Sequence, residues 1–346
     1  MIPADSFDAF LLDLDGVVWR GETPVQRAAE TIRTLREQGK RVVFITNNSA
    51  RTSREYAIKL FRMKVPTETQ DIVTSGHAVI SELRRMGLVE GDRVHVCGSE
   101  GLIRLITHER LIPTNETDDV AAVVVGWNPR GTFEDIRRAA TLARSGVPLI
   151  ASNADPTYPG EVELLPGTGA LLAAIETASG VKAKVVGKPR PELFQLALER
   201  AGTDPARTLV CGDRASTDIA GARTAGLPSA LVLTGVTAES DLAQLTDMPD
   251  EILDDLSDLL RDLPRGTSSS EDGAAAIQTE RDGETLHVRG FTIPPNADHR
   301  SAWVVLRRLL VEACAGAGRV QAPDELEPYL ARIGFDAARQ PRLFGG

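Results

Sequence analysis

The stretch that decides the fold is FDAFLLDLDGV, at residues 7–17. Its apolar start, residues 7–14, predicts a buried strand. Two carboxylates, Asp13 and Asp15, stand at the end of that strand, and Gly16 allows the chain to turn. In an open parallel sheet, ligands bind beyond the carboxyl ends of the strands. One carboxylate there can act as a nucleophile and metal ligand while the other moves a proton, although a solvated acidic turn has the same pattern.

The sequence around this stretch alternates strands and helices. Thr23-Pro24 predicts a helix start, with Pro at the first helical position, and Gly39 predicts its end. RVVFIT at 41–46 predicts a second strand, and a capping box at Thr52 and Glu55 predicts the next helix. The alternation returns between residues 185 and 234. We therefore expect an α/β fold built on a Rossmann-like, doubly wound parallel sheet with helices on both faces.

Three further polar segments follow predicted strands. Thr46 and Asn47 offer a hydroxyl, an amide and backbone N–H groups to an anion. Lys188 lies on a short proline-rich loop and is one of only six lysines, so it can neutralise a phosphate beside a carboxylate. Asp213 can bind a hard cation, and Asp218 can hold a metal-bound water or orient Lys188. Taken singly, these are also an ordinary loop, a surface lysine and a helix N-cap.

The four segments end strands of one predicted sheet, so their side chains are expected to meet at one edge. Together they supply a nucleophile, an anion clamp, an ammonium group and acids for a metal. Phosphoryl transfer to an aspartate needs those parts.

The length of 346 residues allows two or three domains. We predict a discontinuous core at 1–80 and 183–262, interrupted by an inserted α/β cap domain at 81–182. A Gly/Ser-rich linker is predicted at 263–274. Residues 275–346 are predicted to form a small α+β module.

The C-terminal module is predicted to hold a strand pair at 285–289 and 291–293, then helices at 301–315 and 323–333. It faintly resembles part of an N-acetyltransferase-type fold but lacks the loop that binds the pyrophosphate of acetyl-CoA, so no acyl transfer is expected. The apolar stripe of its first helix must be covered by the core or by another subunit. A homo-oligomer through the cap or this module is therefore left open.

Composition excludes several classes of partner. The net charge is −10, which disfavours nucleic acids and anionic membranes. No apolar run approaches the ~18 residues of a membrane span, and the first residues contain no signal-peptide core. The three cysteines, Cys97, Cys211 and Cys314, are odd in number and far apart, which fits a reducing compartment. We expect a cytoplasmic protein.

The motifs DLDGV, TNNS, GKPRPE and GDRASTDIAGA, taken in order, resemble the four motifs of the haloacid dehalogenase (HAD) superfamily of Mg²⁺-dependent phosphatases. More narrowly, the chain is similar to the 4-nitrophenylphosphatase-like branch, in which a large α/β cap of type C2 lies between the second and third motifs. IVTSG at 72–76 and ASNADPTYPGEVELLPGTG at 151–169 also match. The resemblance covers about residues 6–262.

The resemblance implies a role for each matching residue of the core. Asp13 would be the nucleophile and Asp15 the general acid and base. Thr46 and Asn47 would bind phosphate, and Lys188 would stabilise the transition state.

The same resemblance implies a Mg²⁺ site and a specificity loop. The Asp13 carboxylate, the Asp15 backbone carbonyl and Asp213 would hold Mg²⁺, with Asp218 behind these ligands. Asn153 and Asp155 of the cap loop are candidates for choosing the leaving group, and an ordinary proline-rich loop is the plain alternative.

The expected function is Mg²⁺-dependent hydrolysis of small phosphomonoesters through an aspartyl-phosphate. Similarity to bacterial members favours glycerol 3-phosphate as substrate, with phosphoglycolate second, and a bulky cap should exclude macromolecules. A sugar phosphotransferase or mutase and a non-catalytic anion sensor are the alternatives. A sensor would not need Asp15. Because four acids would repel a phosphate dianion, the metal-free protein is expected to be inactive.

Overall fold

The computed structural model describes residues 4–65, 67–159, 164–260, 276–282, 285–292, 307, 309–311, 319–321 and 327–333. Its first part contains β1 (Ala9–Asp13), β2 (Trp19–Arg20), β3 (Thr23–Pro24), α1 (Ala28–Glu37), β4 (Arg41–Thr46), α2 (Ser53–Arg62), β5 (Ile72–Thr74) and α3 (Ser75–Arg85). The middle part contains β6 (Arg93–Cys97), α4 (Glu100–His108), β7 (Ile112–Thr114), β8 (Ala122–Val125), α5 (Phe133–Arg144), β9 (Leu149–Ala151), β10 (Thr157–Pro159), β11 (Leu164–Pro166), α6 (Thr168–Ser179) and β12 (Lys184–Val185). The last part contains α7 (Pro191–Ala201), β13 (Thr208–Gly212), α8 (Ala220–Ala225), β14 (Ser229–Val232), β15 (Glu251–Leu253), β16 (Ala276–Asp282), β17 (Thr285–Thr292), β18 (Arg319–Gln321) and a final helix, Glu327–Arg332.

The core sheet has six parallel strands in the order β15-β14-β13-β1-β4-β5. Every residue of the central strand β1 is buried, as expected of a parallel strand covered on both faces. Successive side chains of β1 point to opposite faces: Leu11 packs in a cluster with Phe194 of α7, and Leu12 packs in another with Ile32 of α1. The predicted α/β class and doubly wound parallel sheet are confirmed.

A second sheet, which we call the cap sheet, has five parallel strands in the order β12-β9-β8-β6-β7. Strands β10 and β11 form a separate antiparallel hairpin. The sequence did not predict β7, β10 or β11. It did predict a short strand before Lys188, but as a strand of the core sheet; that assignment is wrong, because this strand, β12, pairs with β9 of the cap sheet. Because β12 pairs with β9, it belongs to the cap sheet although it lies beyond the predicted boundary at residue 182, so the pairing favours a boundary after Val185. The division into domains itself stays a prediction.

The predicted helix start at Thr23-Pro24 is wrong. These two residues form β3, which pairs with β2 in a short antiparallel hairpin. A proline is tolerated at such an edge because it has no N–H to donate. The helix α1 begins at Ala28, after Arg27, whose left-handed φ of 64° interrupts the extended chain.

In the C-terminal part, the predicted strand pair at 285–289 and 291–293 is also wrong. Residues Thr285–Thr292 form one strand, β17, which pairs antiparallel with β16 and parallel with β18. Gly290 does not turn the chain: Ile277 pairs with Phe291 and Gln278 with Arg289, so this glycine occupies a bulge.

Several predictions for this region lie outside the described residues. These are the linker at 263–274, the residue Cys314 and most of the helix at 301–315, although residue 307 and residues 309–311 are helical. Of the helix predicted at 323–333, the structure describes Glu327–Arg332. Among the helices in the described ranges, none has the length and apolar character needed to cross a bilayer.

Candidate active site

Three buried carboxylates meet at the carboxyl ends of the core strands. Asp13 ends β1, Asp213 directly follows β13, and Asp218 lies in the turn after it. Each offers an oxygen, and these three oxygens lie within 4.8 Å of one another. The sequence therefore predicted correctly that the three acids come together, because neighbouring parallel strands end at the same edge.

Glycines make room for these acids. Gly16 has a φ of +90°, and a Cβ there or at Gly235 would overlap the Asp213 carboxylate. A Cβ at Gly212 would overlap Asp218. The Asp213 carboxylate is thus enclosed by backbone on two sides, which fixes its position.

Lys188 joins two of the acids. Its Nζ donates to Asp13 Oδ1 and Asp218 Oδ1, both at 2.6 Å, and its side chain is 3% exposed. The backbone of Lys188 is held in turn by the side chain of Asn47, whose Oδ1 accepts from the Lys188 N–H at 2.7 Å while its Nδ2 donates to the Lys188 carbonyl at 3.0 Å. Gly187 permits this close approach, since a Cβ there would press on Asn47 Oδ1 at 2.6 Å.

One ammonium group cannot neutralise three buried carboxylates, and the pKa values reflect this. Burial raises the pKa of Asp13 well above its ordinary value; Lys188 lowers it, and the Asp218 and Asp213 carboxylates raise it further. Burial and Asp218 raise the pKa of Asp213 to about 6. Burial lowers the pKa of Lys188, but the two carboxylates outweigh burial and raise it above the usual lysine value, so Lys188 stays charged.

The three acids fit a divalent cation. Their charges sum to −3, Lys188 returns +1, and a divalent cation would neutralise the remaining −2. The donors are carboxylate oxygens, which hard cations such as Mg²⁺ prefer. Asp218 already uses one oxygen for Lys188 and the other for the Arg214 N–H, at 3.1 Å, which leaves Asp13 and Asp213 better placed to bind the ion.

The helix predicted at Thr217–Ala225 begins earlier than expected. A π-helical turn, Ala215–Ile219, precedes α8. Because the Asp218 carboxylate accepts from the Arg214 N–H, Asp218 closes the start of this turn and also faces Lys188. The sequence offered Asp218 as a partner of Lys188 or as the N-cap residue of the helix; the first is confirmed by the contact, and the second is wrong, because the N-cap residue is Arg214 and Asp218 lies inside the turn.

Asp15 lies beside the three acids but points elsewhere. Its Oδ1 accepts from Trp19 Nε1 at 2.8 Å. Trp19 is stacked on Tyr56, and Lys59 Nζ lies 4.3 Å from the centre of the Trp19 ring. Burial raises the pKa of Asp15, while the hydrogen bond from Trp19 lowers it. A carboxyl with a raised pKa that lines the cavity can hold and release a proton.

The predicted anion-binding segment lies at the site, where the Asn47 amide already donates and accepts hydrogen bonds, whereas the Thr46 hydroxyl accepts one and can still donate its hydrogen. Thr46 Oγ1 accepts from the Asn48 N–H at 3.1 Å, and the Asn47 side chain holds Lys188. The side-chain amide of Asn153 donates to the Asn47 carbonyl at 2.7 Å, and Asp155 Oδ2 accepts from Asn47 Nδ2 at 3.1 Å. The cap loop therefore bonds to the core loop that carries Asn47.

These acids lie in a cavity of about 730 Å³ whose walls come from both the core and the cap. Sequence reasoning missed two aromatic residues in its wall, Trp127 and Tyr158, whose rings are stacked with centres 3.9 Å apart. Asn48 Nδ2 donates to the Tyr158 hydroxyl at 3.1 Å. Trp127 follows β8 by two residues, so the strand-end rule used for the core could have found it. Other missed wall residues are Arg20, Glu22, Thr157, Thr168 and Val236.

Comparisons with known proteins agree with the geometry of the site. A family model described as haloacid dehalogenase-like hydrolase matches residues 10–109, and a HAD-hydrolase-like model matches residues 185–259. The chain is 38% identical over 239 residues to a D-glycerol 3-phosphate phosphatase of Mycobacterium tuberculosis, a match that covers 69% of this chain and 66% of that protein. It is 32% identical to phosphoglycolate phosphatase 2 of Arabidopsis thaliana, covering 74% of this chain and 93% of the relative.

Among solved structures, the fold is similar to that of a glycerol phosphate phosphatase from Mycobacterium tuberculosis in complex with magnesium. The TM-score is 0.83 at 32% identity, with 96% of this chain and 98% of the other covered. With 96% of 346 residues covered, the likeness extends past residue 262 into the C-terminal part.

Proposed function

Because this chain belongs to the haloacid dehalogenase superfamily of hydrolases and is a Mg²⁺-dependent phosphatase within it, we propose that Asp13 is its nucleophile and glycerol 3-phosphate its substrate. The observation that carries the proposal is the cluster of Asp13, Asp213 and Asp218 around the Lys188 ammonium at the floor of the cavity. A surface acidic turn would not be buried, nor would it share a lysine.

In the first half of the reaction, the free oxygen of Asp13 attacks phosphorus and the bond to the leaving alkoxide breaks. Asp15 gives its proton to that alkoxide, which leaves as an alcohol. In the second half, Asp15 takes a proton from water, the water oxygen attacks the aspartyl-phosphate, and phosphate and the Asp13 carboxylate are released. The raised pKa of Asp15 supports its role as a group that starts protonated.

Lys188 holds Asp13 Oδ1, so Asp13 Oδ2 is the oxygen left for attack. The ammonium also lies where it can stabilise charge on the transferring phosphoryl group. Asp13, Asp213 and the Asp15 carbonyl would hold the ion, and Mg²⁺, when bound, supplies charge neutralisation for the phosphate oxygens. Asp218 serves to orient Lys188.

For phosphate binding we propose Thr46 and the backbone of Asn47. The Asn47 side chain is engaged with Lys188, so its part is to fix the lysine. Asn153 and Asp155 act on the leaving group indirectly, through their bonds to Asn47.

The choice of substrate rests on the relatives. The Mycobacterium tuberculosis relative is named for D-glycerol 3-phosphate and the Arabidopsis thaliana relative for phosphoglycolate, so we place glycerol 3-phosphate first and phosphoglycolate second. A location in the cytoplasm is part of the proposal and is supported by the free, buried thiols of Cys97 and Cys211. A homo-oligomer through the cap or the C-terminal module stays a prediction.

The test is a comparison of kcat/KM for a panel of small phosphate esters with Mg²⁺, read as free phosphate released. We expect glycerol 3-phosphate to rank first and Asp13→Asn to abolish turnover of every ester. Transfer of the phosphoryl group to a sugar without release of free phosphate would favour a phosphotransferase instead. Wild-type turnover by Asp13→Asn would refute the mechanism.

A further inference from the structure

One loop contacts both the candidate metal ligand and the C-terminal part of the chain. Residues 234–239, which we call the 234–239 loop, follow β14 and cross the carboxyl edge of the core sheet. At its start the Val236 N–H donates to Asp213 Oδ2 at 2.6 Å, and the Thr237 N–H donates to the Asp213 carbonyl at 3.0 Å. Thr234 Oγ1 donates to the Gly16 carbonyl at 2.6 Å. The loop therefore fixes Asp213 by its side chain and by its backbone.

At its other end the same loop is held by two arginines. Glu239 accepts from Arg307 Nη1 at 3.2 Å and from Arg332 Nε at 2.7 Å. Both arginines lie beyond the predicted linker, far along the sequence from Glu239. Only two residues, 237 and 238, separate Glu239 from the amide that holds Asp213.

Arg307 is not a surface arginine. Its side chain is 0% exposed, it pairs with Asp254, and its Nη2 donates to the Ile252 carbonyl of β15 at 3.1 Å. It thus ties Glu239 to the edge strand of the core sheet at two points, the Ile252 carbonyl within β15 and Asp254 directly after it. A buried guanidinium has a fixed geometry because its planar fork sets the direction of each donor. Arg307 therefore fixes one carboxylate oxygen of Glu239 relative to the sheet, and Arg332 holds the other oxygen.

We propose that Glu239 is a positioning residue: Arg307 and Arg332 of the C-terminal part hold it, and through the 234–239 loop they set the affinity of Asp213 for the divalent cation. The proposal rests on the proposed role of Asp213. It gives the C-terminal part a function in the reaction that needs no ligand of its own.

The physical reason is the bond from Val236 to Asp213. A carboxylate that binds a metal through one oxygen keeps its orientation when the other oxygen accepts a hydrogen bond, and loss of such a partner lowers metal affinity about 10-fold to 100-fold. If Glu239 is released, Thr237 and Ala238 still hold the side of the loop that follows Val236, but the Val236 amide is held less firmly against Asp213. The expected result is a weaker metal site with an intact fold.

The experiment measures Mg²⁺ binding to full-length protein by calorimetry, with the Mg²⁺ dependence of 4-nitrophenyl phosphate hydrolysis as a second readout. Glu239→Gln and Arg332→Gln are the test variants, because both side chains reach solvent and both changes leave the buried Arg307 in place with its bonds to Asp254 and Ile252. Arg207→Gln is the matched control. It removes a partly exposed ion pair with Asp8, which lies at the amino ends of β13 and β1, away from the acids. We expect about 10-fold weaker Mg²⁺ binding in both test variants, unchanged binding in the control, and kcat close to wild type at saturating Mg²⁺.

The inference is overturned if both test variants bind Mg²⁺ within twofold of wild type, even if they unfold at lower temperature, since a docking role alone predicts that result. Asp213→Asn separates this inference from the proposed site. If Asp213→Asn loses Mg²⁺ binding while the test variants keep it, only the role of Glu239 fails. If Asp213→Asn binds as wild type does, the assignment of Asp213 fails, and the role of Glu239 fails with it.

Discussion

Replacing Lys188 with methionine removes an ammonium group that contacts two of the three buried acids, Asp13 and Asp218. Methionine matches the unbranched stem of lysine without its terminal Nζ, so the change is chiefly one of charge and hydrogen bonding. In the wild type, Nζ donates at 2.6 Å to both Asp13 and Asp218. In the variant, two buried carboxylates each lose a charged donor.

The expected cost can be worked from this geometry. Breaking a buried ion pair by removing one partner costs about 3–5 kcal/mol, because the remaining charge stays buried and unpaired. This loss in the free energy of unfolding grows as the pH rises, for the following reason. Carboxyl groups whose folded pKa is raised take up protons in the folded state, so the variant loses stability as the pH rises through that pKa. The loss is therefore larger at pH 8 than at pH 5, and Mg²⁺ should recover part of it.

The matched control is Lys184→Met. Lys184 also contacts two carboxylates, Glu82 at 2.7 Å and Glu192 at 3.7 Å, but its side chain is 42% exposed. Arg85 continues to hold Glu82 by two hydrogen bonds when Lys184 is gone. Solvent screens the contacts of Lys184 with these two carboxylates, so Lys184→Met should lower the free energy of unfolding by about 1 kcal/mol or less.

The assay is urea unfolding at pH 8 with a chelator, repeated at pH 5 and with Mg²⁺, for both variants. Lys188→Met should also lower kcat by about 100-fold or more, because the ammonium that stabilises charge on the transferring phosphoryl group is lost. If Lys188→Met is no less stable than Lys184→Met at pH 8, or keeps wild-type kcat, the reasoning about the buried ammonium is refuted.

Three further predictions concern protons. The pKa of Asp213 is about 6 in the protein without metal, and that of Asp13 is also raised, so apparent Mg²⁺ affinity should fall at least about tenfold for each pH unit below 6. Calorimetry that shows a flat affinity from pH 5 to pH 8 would contradict this. Burial lowers the pKa of His77 from 6.5 to about 4, so between pH 6.5 and pH 4 the unfolded chain binds a proton that the folded chain does not. The free energy of unfolding should therefore fall by up to about 3 kcal/mol as the pH falls through this range. His77→Gln keeps the capping box with Thr74 and should abolish this pH dependence in urea titrations. Asp15→Asn should slow glycerol 3-phosphate hydrolysis far more than the first turnover of 4-nitrophenyl phosphate, whose leaving group needs no proton; equal losses in stopped-flow traces would argue against Asp15 as the acid.

The sequence predicted which residues meet at the core of the site because a short stretch of sequence is enough to mark a strand end. An apolar run followed by Asp13 and Asp15 marks a strand end, and parallel pairing brings strand ends together without any knowledge of distant contacts. The register of β1 with β4 and β13 could not be predicted in this way, because a strand that is buried at every residue has no alternation of buried and exposed side chains to set it. The prediction of where α1 starts was wrong because it depends on a contact with another segment. Pro24 is compatible with a helix start and with an edge strand, and only its pairing with Trp19 decides between them.

Other features depend on contacts that no local pattern encodes. The type of residue at Asn47 suggested a phosphate ligand, yet its side chain is committed to Lys188, 141 residues away. Nothing in the local sequence distinguishes Arg307 from the other arginines, because its burial beside Glu239 and Asp254 depends on the fold. Trp127 and Tyr158 come from separate segments, and their stacking depends on how the cap folds.

The central claim is that Asp13 carries the phosphoryl group. The most direct measurement uses Asp15→Asn with 4-nitrophenyl phosphate and Mg²⁺: nitrophenolate can leave without a proton, but the aspartyl-phosphate then lacks its base. We expect a burst of one nitrophenolate per site and, in the acid-quenched protein, a peptide containing Asp13 that is heavier by one phosphoryl group. No burst, or the added mass on a peptide without Asp13, would contradict it.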